Sequence, residues 1–166
     1  MIDEHPLRDE PAAAYVQRLA LAKAESVAQR YTDAVVLGAD TTVTIDGLIL
    51  AKPQSLDDAR QMLHRLCGRE HEIVTGVAVV AGKMAGHVGD RSAQAMVATR
   101  VLMRHFTSAT IEWYIATGEP VDKAGAYAVQ GLGGALVERI EGSYTNAVGL
   151  PLAETLALLR RFGIAG

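Results

Sequence analysis

The residues best suited to chemistry lie in Val35–Lys52, VVLGADTTVTIDGLILAK. Val35, Val36 and Leu37 form a short apolar run that breaks at Gly38 and delivers Asp40, Thr41 and Thr42 in succession. A run that short, closed by glycine, predicts a buried parallel strand whose carboxyl end opens into a loop. Ligand sites in open α/β sheets lie at such strand ends, which makes Asp40 the first carboxylate to consider. Val43-Thr44-Ile45 then alternates like a second strand, Asp46-Gly47 is a hairpin turn signal, and Leu48-Ile49-Leu50 returns. The return ends in Lys52-Pro53, so the hairpin brings a cation back toward the carboxylate. An acid and a base on one rim suit a metal-bound anion such as a phosphate chain.

A second informative stretch is Val121–Gly134, VDKAGAYAVQGLGG. It sets Asp122, Lys123, Tyr127 and Gln130 among Gly125, Gly131, Gly133 and Gly134. Glycine at that density permits close backbone approach to a ligand, and exposed N–H groups there can bind an anion. Other reactive residue types read plainly. His64 falls on a helix surface and His71 in a loop after Gly68, and the five histidines show no paired metal-ligand spacing. Cys67 reads as a small hydrophobe rather than a nucleophile, since no Cys–His pairing is evident. Ser143 has no nucleophile-elbow context, which argues against acyl transfer.

The flanking elements follow from capping and periodicity. Asp9 is expected to cap a first helix, with Glu10 and Pro11 in its first turn. That helix runs to about Arg30, with Tyr15, Val16, Leu19, Ala22 and Val27 facing inward; Arg18, Lys23, Glu25 and Gln29 supply its polar surface. Ser55 and Asp58 form a capping box for a second helix whose core stripe is Ala59, Met62, Leu63 and Leu66, ended by Gly68. Glu72–Val80 and Ala93–Met103 read as strands, with a turn bracketed by Gly82 and Gly86. Thr107 or Ser108 caps a third helix, in which Ile111, Tyr114 and Ile115 face inward and Gly118 is the stop. Ala135–Ile140 is a further strand, Glu141-Gly142-Ser143 a turn, and Leu152–Phe162 a closing helix. Helices and strands interleave, which predicts an α/β fold with a mixed sheet.

Composition bounds the function. The 166 residues suffice for one domain, 1–166, able to bury a core without staples. Hydrophobic residues at 49% and charged residues at 21% are ordinary globular usage. A net charge of −3 offers no basic footprint for nucleic acid or an anionic membrane surface. No run approaches transmembrane length and the start lacks a signal-peptide pattern. With Cys67 the single cysteine, disulfide architecture is excluded, and a cytoplasmic, reducing location is expected.

Several segments together resemble the Maf family of nucleotide pyrophosphatases. The matching residues are GADTTV at Gly38–Val43, AKP at Ala51–Pro53, LCGREHEIVT at Leu66–Thr75, EPVDKAGAYAVQGLGG at Glu119–Gly134 and GSYTNAVGLPL at Gly142–Leu152. They follow the family's order and spacing across nearly the whole chain. The resemblance implies a mixed, elongated α/β fold of the Maf and inosine-triphosphatase type, with a cleft between two lobes. It also implies hydrolysis of nucleoside triphosphates to monophosphate and pyrophosphate, aided by a divalent cation, Mg²⁺ or Mn²⁺, and a homodimer. The DKAGAY…QGLGG form resembles the branch acting on dTTP and UTP. Family members open with a strand and a Ser-x-Arg-Arg phosphate loop; this sequence starts at what resembles the segment after it, Ile2-Asp3-Glu4. An N-terminally truncated form is therefore one expectation, and nucleotide binding without catalysis is the rival to hydrolysis.

The resemblance also assigns roles. Asp40 is a metal ligand or the base that activates water; its plain alternative is a strand-end aspartate satisfying loop N–H groups. Glu4 matches a family glutamate near the metal. Lys52 and Lys123 are phosphate cations, acting as point charges. Gln130 orients substrate or water, or caps the glycine turn. Asp122 pairs with Lys123 or joins the metal shell. Thr41 and Thr75 match pocket-lining positions, although threonine in a strand also reflects simple propensity.

Overall fold

The computed structural model describes residues 2–86, 89 and 91–164. Its elements in order are α1 (Ala12–Ala28), β1 (Val35–Ile45), β2 (Leu48–Leu50), α2 (Leu56–Leu66), β3 (Glu70–Ala81), β4 (Ser92–Met103), α3 (Ser108–Ala116), β5 (Val137–Glu141), α4 (Tyr144–Val148) and α5 (Leu152–Arg161). Three 3₁₀ turns, Glu119–Asp122, Ala124–Ala126 and Leu132–Leu136, fill the stretch between α3 and β5. The turn expected between Gly82 and Gly86 follows β3, where the Ala85 N–H donates to the Gly82 carbonyl at 3.1 Å.

The α/β class stands, and the five strands form one sheet in the order β2-β1-β3-β4-β5. Every pairing among the described residues is antiparallel. The parallel strand expected to stop at Gly38 is therefore corrected. β1 runs through Gly38 and Asp40 without interruption, paired with β3 from Val35↔Ala81 to Thr44↔Glu72. Gly38 marks a close approach of another backbone rather than a break. A Cβ there would overlap the Ala20 carbonyl oxygen, and one at Gly76 would lie 2.5 Å from the Val16 carbonyl oxygen.

Alternation along β3 divides the core into two faces. On one face α1 lies against the sheet. Ala20, Ala24 and Ala28 cluster with Ala78 and Val80, and Tyr15, Val16 and Leu19 with Val74. On the other, Leu158 and Phe162 cluster with Val77, Val79 and Ala81, while α2 and α3 close over Val43, Ile45 and Ile73. Val16 and Leu19 are wholly inaccessible, and each such aliphatic side chain contributes about 1.5–3 kcal/mol over its exposed state.

Local signals mostly hold, with instructive exceptions. Ser55 Oγ accepts from the Asp58 N–H at 3.1 Å, and Asp58 in return accepts from the Gln54 N–H at 2.9 Å. Thr107 Oγ1 caps α3 by accepting from Thr110 N–H at 3.2 Å. The cap of α1, however, is Pro11, not Asp9. Asp9 sits outside at φ 56°, and Glu10 is instead held by Arg18, with contacts of 2.7 Å to both carboxylate oxygens. The inward face of α1 uses Ala20, Ala24 and Ala28, while Ala22 and Val27 are only half-buried. His71 is not in a loop: it lies in β3 opposite Val101 and is buried. Ser143, expected in a turn, caps the short α4 through Asn146 N–H at 3.1 Å. Five residues are too few to show a helical period.

Candidate active site

One cavity of about 550 Å³ gathers most of the predicted site residues. Asp40 and Thr41 reach it from β1, Lys52 from the exit of β2, and Glu4 from the segment before α1. Asp122, Lys123 and Gln130 line it from the irregular stretch between α3 and β5. The hairpin works as expected: Val43↔Leu50 pairing returns the chain beside β1, and the Gly125 N–H donates to the Ala51 carbonyl at 3.3 Å. That bond ties the two lysine-bearing segments together at the cavity rim.

The shortest hydrogen bond in the cavity among the described residues involves a residue that sequence reasoning left on the helix surface. Lys23 Nζ donates to Asp40 Oδ1 at 2.6 Å and stands 3.0 Å from Glu4 Oε1. Burial raises the Asp40 carboxyl above its ordinary value, and the Lys23 ammonium offsets only part of that rise. For Lys23, burial opposes the charge, but hydrogen bonds to Asp40 and Glu4 outweigh it and its pKa is raised. The available signal was position: Lys23 lies four residues after Leu19 and next to Ala24, at the margin of the apolar stripe. The segment bearing Glu4 is itself anchored, because Tyr15 OH donates to the Glu4 carbonyl at 2.8 Å and Arg18 to the His5 carbonyl at 3.2 Å.

In that stretch Lys123 Nζ donates to Asp122 Oδ1 at 2.7 Å, so Asp122 is the partner of Lys123 in this structure. That hydrogen bond holds the Asp122 carboxyl below its usual value. Lys52 and Gln130 present exposed side chains to the cavity.

The glycine-rich segment does not offer its N–H groups to an anion as expected. Leu132 N–H and Gly133 N–H each donate at 2.9 Å to the Glu119 carboxylate, which also accepts from Tyr114 OH at 2.7 Å. An internal carboxylate already occupies the donors. Burial pushes Glu119 upward, yet these three hydrogen bonds prevail and its pKa is lowered.

Thr41 and Thr75 separate in depth. Thr41 lines the cavity, while Thr75 is fully buried beneath it and does not reach the lining. Their hydroxyls lie 2.9 Å apart, and Thr41 Oγ1 donates to the Gly149 carbonyl at 3.2 Å. Thr75 thus supports Thr41 from below, because the register sets the two residues opposite each other on β1 and β3.

The donor set also bears on a metal ion. Two carboxylates, from Asp40 and Glu4, converge on a single cation, the Lys23 ammonium. Among the described residues no group of three or more His, Cys, Asp or Glu side chains could hold a metal. Mg²⁺ ordinarily takes one or two carboxylates together with substrate phosphate oxygens and water. Asp40 and Glu4 therefore fit a cation that arrives with a triphosphate, and do not form an all-protein cage.

Similarity to known proteins agrees with this geometry. The profile of the family described as Maf-like protein matches residues 1–162. A dTTP/UTP pyrophosphatase of Myxococcus xanthus is 50% identical over 163 residues, covering 98% of this chain and 79% of the relative. A protein of the same name from Moorella thermoacetica is 52% identical, covering 98% and 81%. One from Symbiobacterium thermophilum is 46% identical, covering 98% and 80%. With a family match across nearly its whole length and relatives at about half identity, this chain belongs to the Maf family.

Proposed function

We propose that this protein hydrolyses dTTP and UTP to the nucleoside monophosphate and pyrophosphate. The reading rests on one observation: Asp40, Lys52 and Lys123, distant in sequence, line a common cavity. The names of the relatives supply the substrate class.

Cleaving a phosphoanhydride calls for neutralisation of the chain's charge and an oriented water; the protein chiefly positions and stabilises. In the proposed step a water oxygen attacks the α-phosphorus in line, the α–β bridging bond breaks, and pyrophosphate leaves with the bond's electron pair. Asp40 orients the water and accepts its proton. Lys52 and Lys123 balance charge on the phosphates, and Gln130 orients substrate through its amide. Asp40 and Glu4 hold a divalent cation, Mg²⁺ or Mn²⁺, which when bound neutralises phosphate oxygens. Lys23 keeps the two carboxylates gathered. The single cysteine supports a reducing, cytoplasmic setting.

The test is pyrophosphate release from dTTP and UTP with Mg²⁺, alongside calorimetric binding, for the parent and Asp40→Asn. Release by the parent, reduced at least about 100-fold in the variant, is expected. Activity of Asp40→Asn within a few-fold of the parent rejects Asp40 as the base, and binding without release assigns the chain to nucleotide binding alone.

A further inference from the structure

The wall that carries Lys123 and Gln130 is irregular. Lys123 and Tyr127–Gly131 belong to no helix or strand, and Gly125 and Ala126 both have positive φ, 67° and 61°. Such a segment has few backbone bonds of its own to fix it. Apart from bonds to its chain neighbours Pro120, Asp122 and Gly131, the segment from Lys123 to Gln130 makes three hydrogen bonds to other parts of the described chain. Gly125 N–H donates to Ala51, Ala128 N–H donates to Tyr114 OH at 3.1 Å, and Tyr127 OH is paired with His71 Nε2 at 2.7 Å. Of these, the last alone reaches β3, the central strand that pairs along its length with the strand bearing Asp40.

The His71–Tyr127 contact is built for permanence. Both residues are buried, and their rings meet edge to face, with centroids 5.5 Å apart at 88°. Burial lowers the His71 pKa to about 4, so the imidazole is neutral at physiological pH. A neutral imidazole and a phenol form one uncharged hydrogen bond in the core. Tyr127 also lines the cavity, three residues before Gln130 and four after Lys123. His71 itself lies outside the cavity.

We infer that His71 is a positioning residue for the nucleotide site, acting through Tyr127 to fix the wall that presents Lys123 and Gln130 against the Asp40 wall. This rests on the reading of the cavity as a nucleotide site. A side chain with a merely packing role is replaceable by one of similar volume. A positioning role requires the hydrogen bond.

The experiment uses the full chain and Tyr127→Phe, which keeps the ring, with His71→Leu and His71→Gln, the last retaining a polar side chain. Two readouts are taken: amide hydrogen exchange without nucleotide, and calorimetric binding of a non-hydrolysable UTP analogue with Mg²⁺. Tyr127→Phe and His71→Leu are expected to speed exchange across residues 123–130 while leaving β1 and β3 unchanged. Each weakens analogue binding by about tenfold, the double variant is no weaker than either single, and His71→Gln recovers most of the loss. In a Lys123→Met/Gln130→Ala background, His71→Leu is expected to cost no further affinity. Unchanged exchange in 123–130, or a His71→Leu loss that adds fully to that background, overturns the role. A parent chain that binds no analogue overturns the nucleotide-site reading. A parent that binds, with Tyr127→Phe binding equally well, overturns the inference about His71.

Discussion

Lys23 and Asp40, 17 positions apart in sequence, meet at 2.6 Å across the junction of α1 and β1. The pair is not neutral in its effect on stability, because the Asp40 side chain is only 11% exposed and burial raises its carboxyl above the ordinary aspartate value despite the ammonium. A carboxyl with a raised folded pKa binds its proton more tightly when folded. Its contribution is fully present below the unfolded pKa and is lost as pH rises through the folded one. Asp40→Asn lacks that loss. The melting temperature of the variant minus that of the parent should therefore become more positive as pH is raised from about 4 to about 7. A difference that is flat, or that falls with pH, shows that the Lys23 attraction outweighs burial. Lys23→Met behaves oppositely: it strands a buried carboxylate, and a loss of about 3 kcal/mol at neutral pH is expected from denaturant midpoints.

The same pair depends on how closely α1 lies on the sheet. Gly38 faces the Ala20 carbonyl and Gly76 the Val16 carbonyl, both without room for a methyl group. In each case the obstacle is backbone, which cannot rotate aside as a side chain tip can. Gly76→Ala should cost about 2–3 kcal/mol and displace α1. Because Lys23 rides on that helix, Gly38→Ala should also weaken catalysis although residue 38 touches no substrate. Chemical denaturation and turnover measured on the same samples check this, and a variant with parental stability and turnover refutes the close-packing account.

Much of the site could be read from the residues, and what could not has physical causes. Lys52 and Lys123 were legible because hairpin signals and glycine clusters are local patterns, whereas Asp40 was singled out by a strand-end argument that does not hold, since it lies in mid-strand. Their meeting in one cavity follows from the hairpin and from the Gly125–Ala51 bond. Lys23 was missed because helical periodicity sorts residues into inward and outward faces and says nothing of those at the margin. Gly38 was misread as a strand end because a glycine chosen for close packing and one chosen for a turn look alike in one sequence. Likewise His71 follows Gly68 closely, and only its distant partner Tyr127 reveals it as a core residue. The antiparallel pairing of β1 with β3 was hidden for the same reason, since partner choice is a long-range property.

Glu119 holds the glycine segment through Leu132 N–H, Gly133 N–H and Tyr114 OH. Glu119→Ala leaves those donors without a protein acceptor and should cost about 1–3 kcal/mol. Since the folded carboxyl is lowered below the ordinary glutamate value, its contribution is present above that value and is lost as pH falls through the lower, folded pKa. The stability gap between parent and Glu119→Ala should accordingly be constant near neutrality and shrink below about pH 4.5. Urea unfolding at three pH values reads this out. A gap that widens in acid contradicts the assigned hydrogen bonds.

Thr41 and Thr75 share one hydrogen bond but only Thr41 faces the cavity, and substitution separates support from contact. Thr75→Val keeps the buried volume and removes the hydroxyl that meets Thr41. Thr41 retains its bond to the Gly149 carbonyl, so the loss should be about 1 kcal/mol of stability with turnover changed by less than about threefold. Thr41→Val removes both bonds at the cavity surface, freeing the α4–α5 connection at Gly149, and should raise the KM for UTP by about tenfold. Steady-state kinetics on the two variants decides between the roles. A Thr75→Val defect in KM as large as that of Thr41→Val makes the buried hydroxyl indispensable to substrate binding, and the division of labour between the two threonines is then wrong.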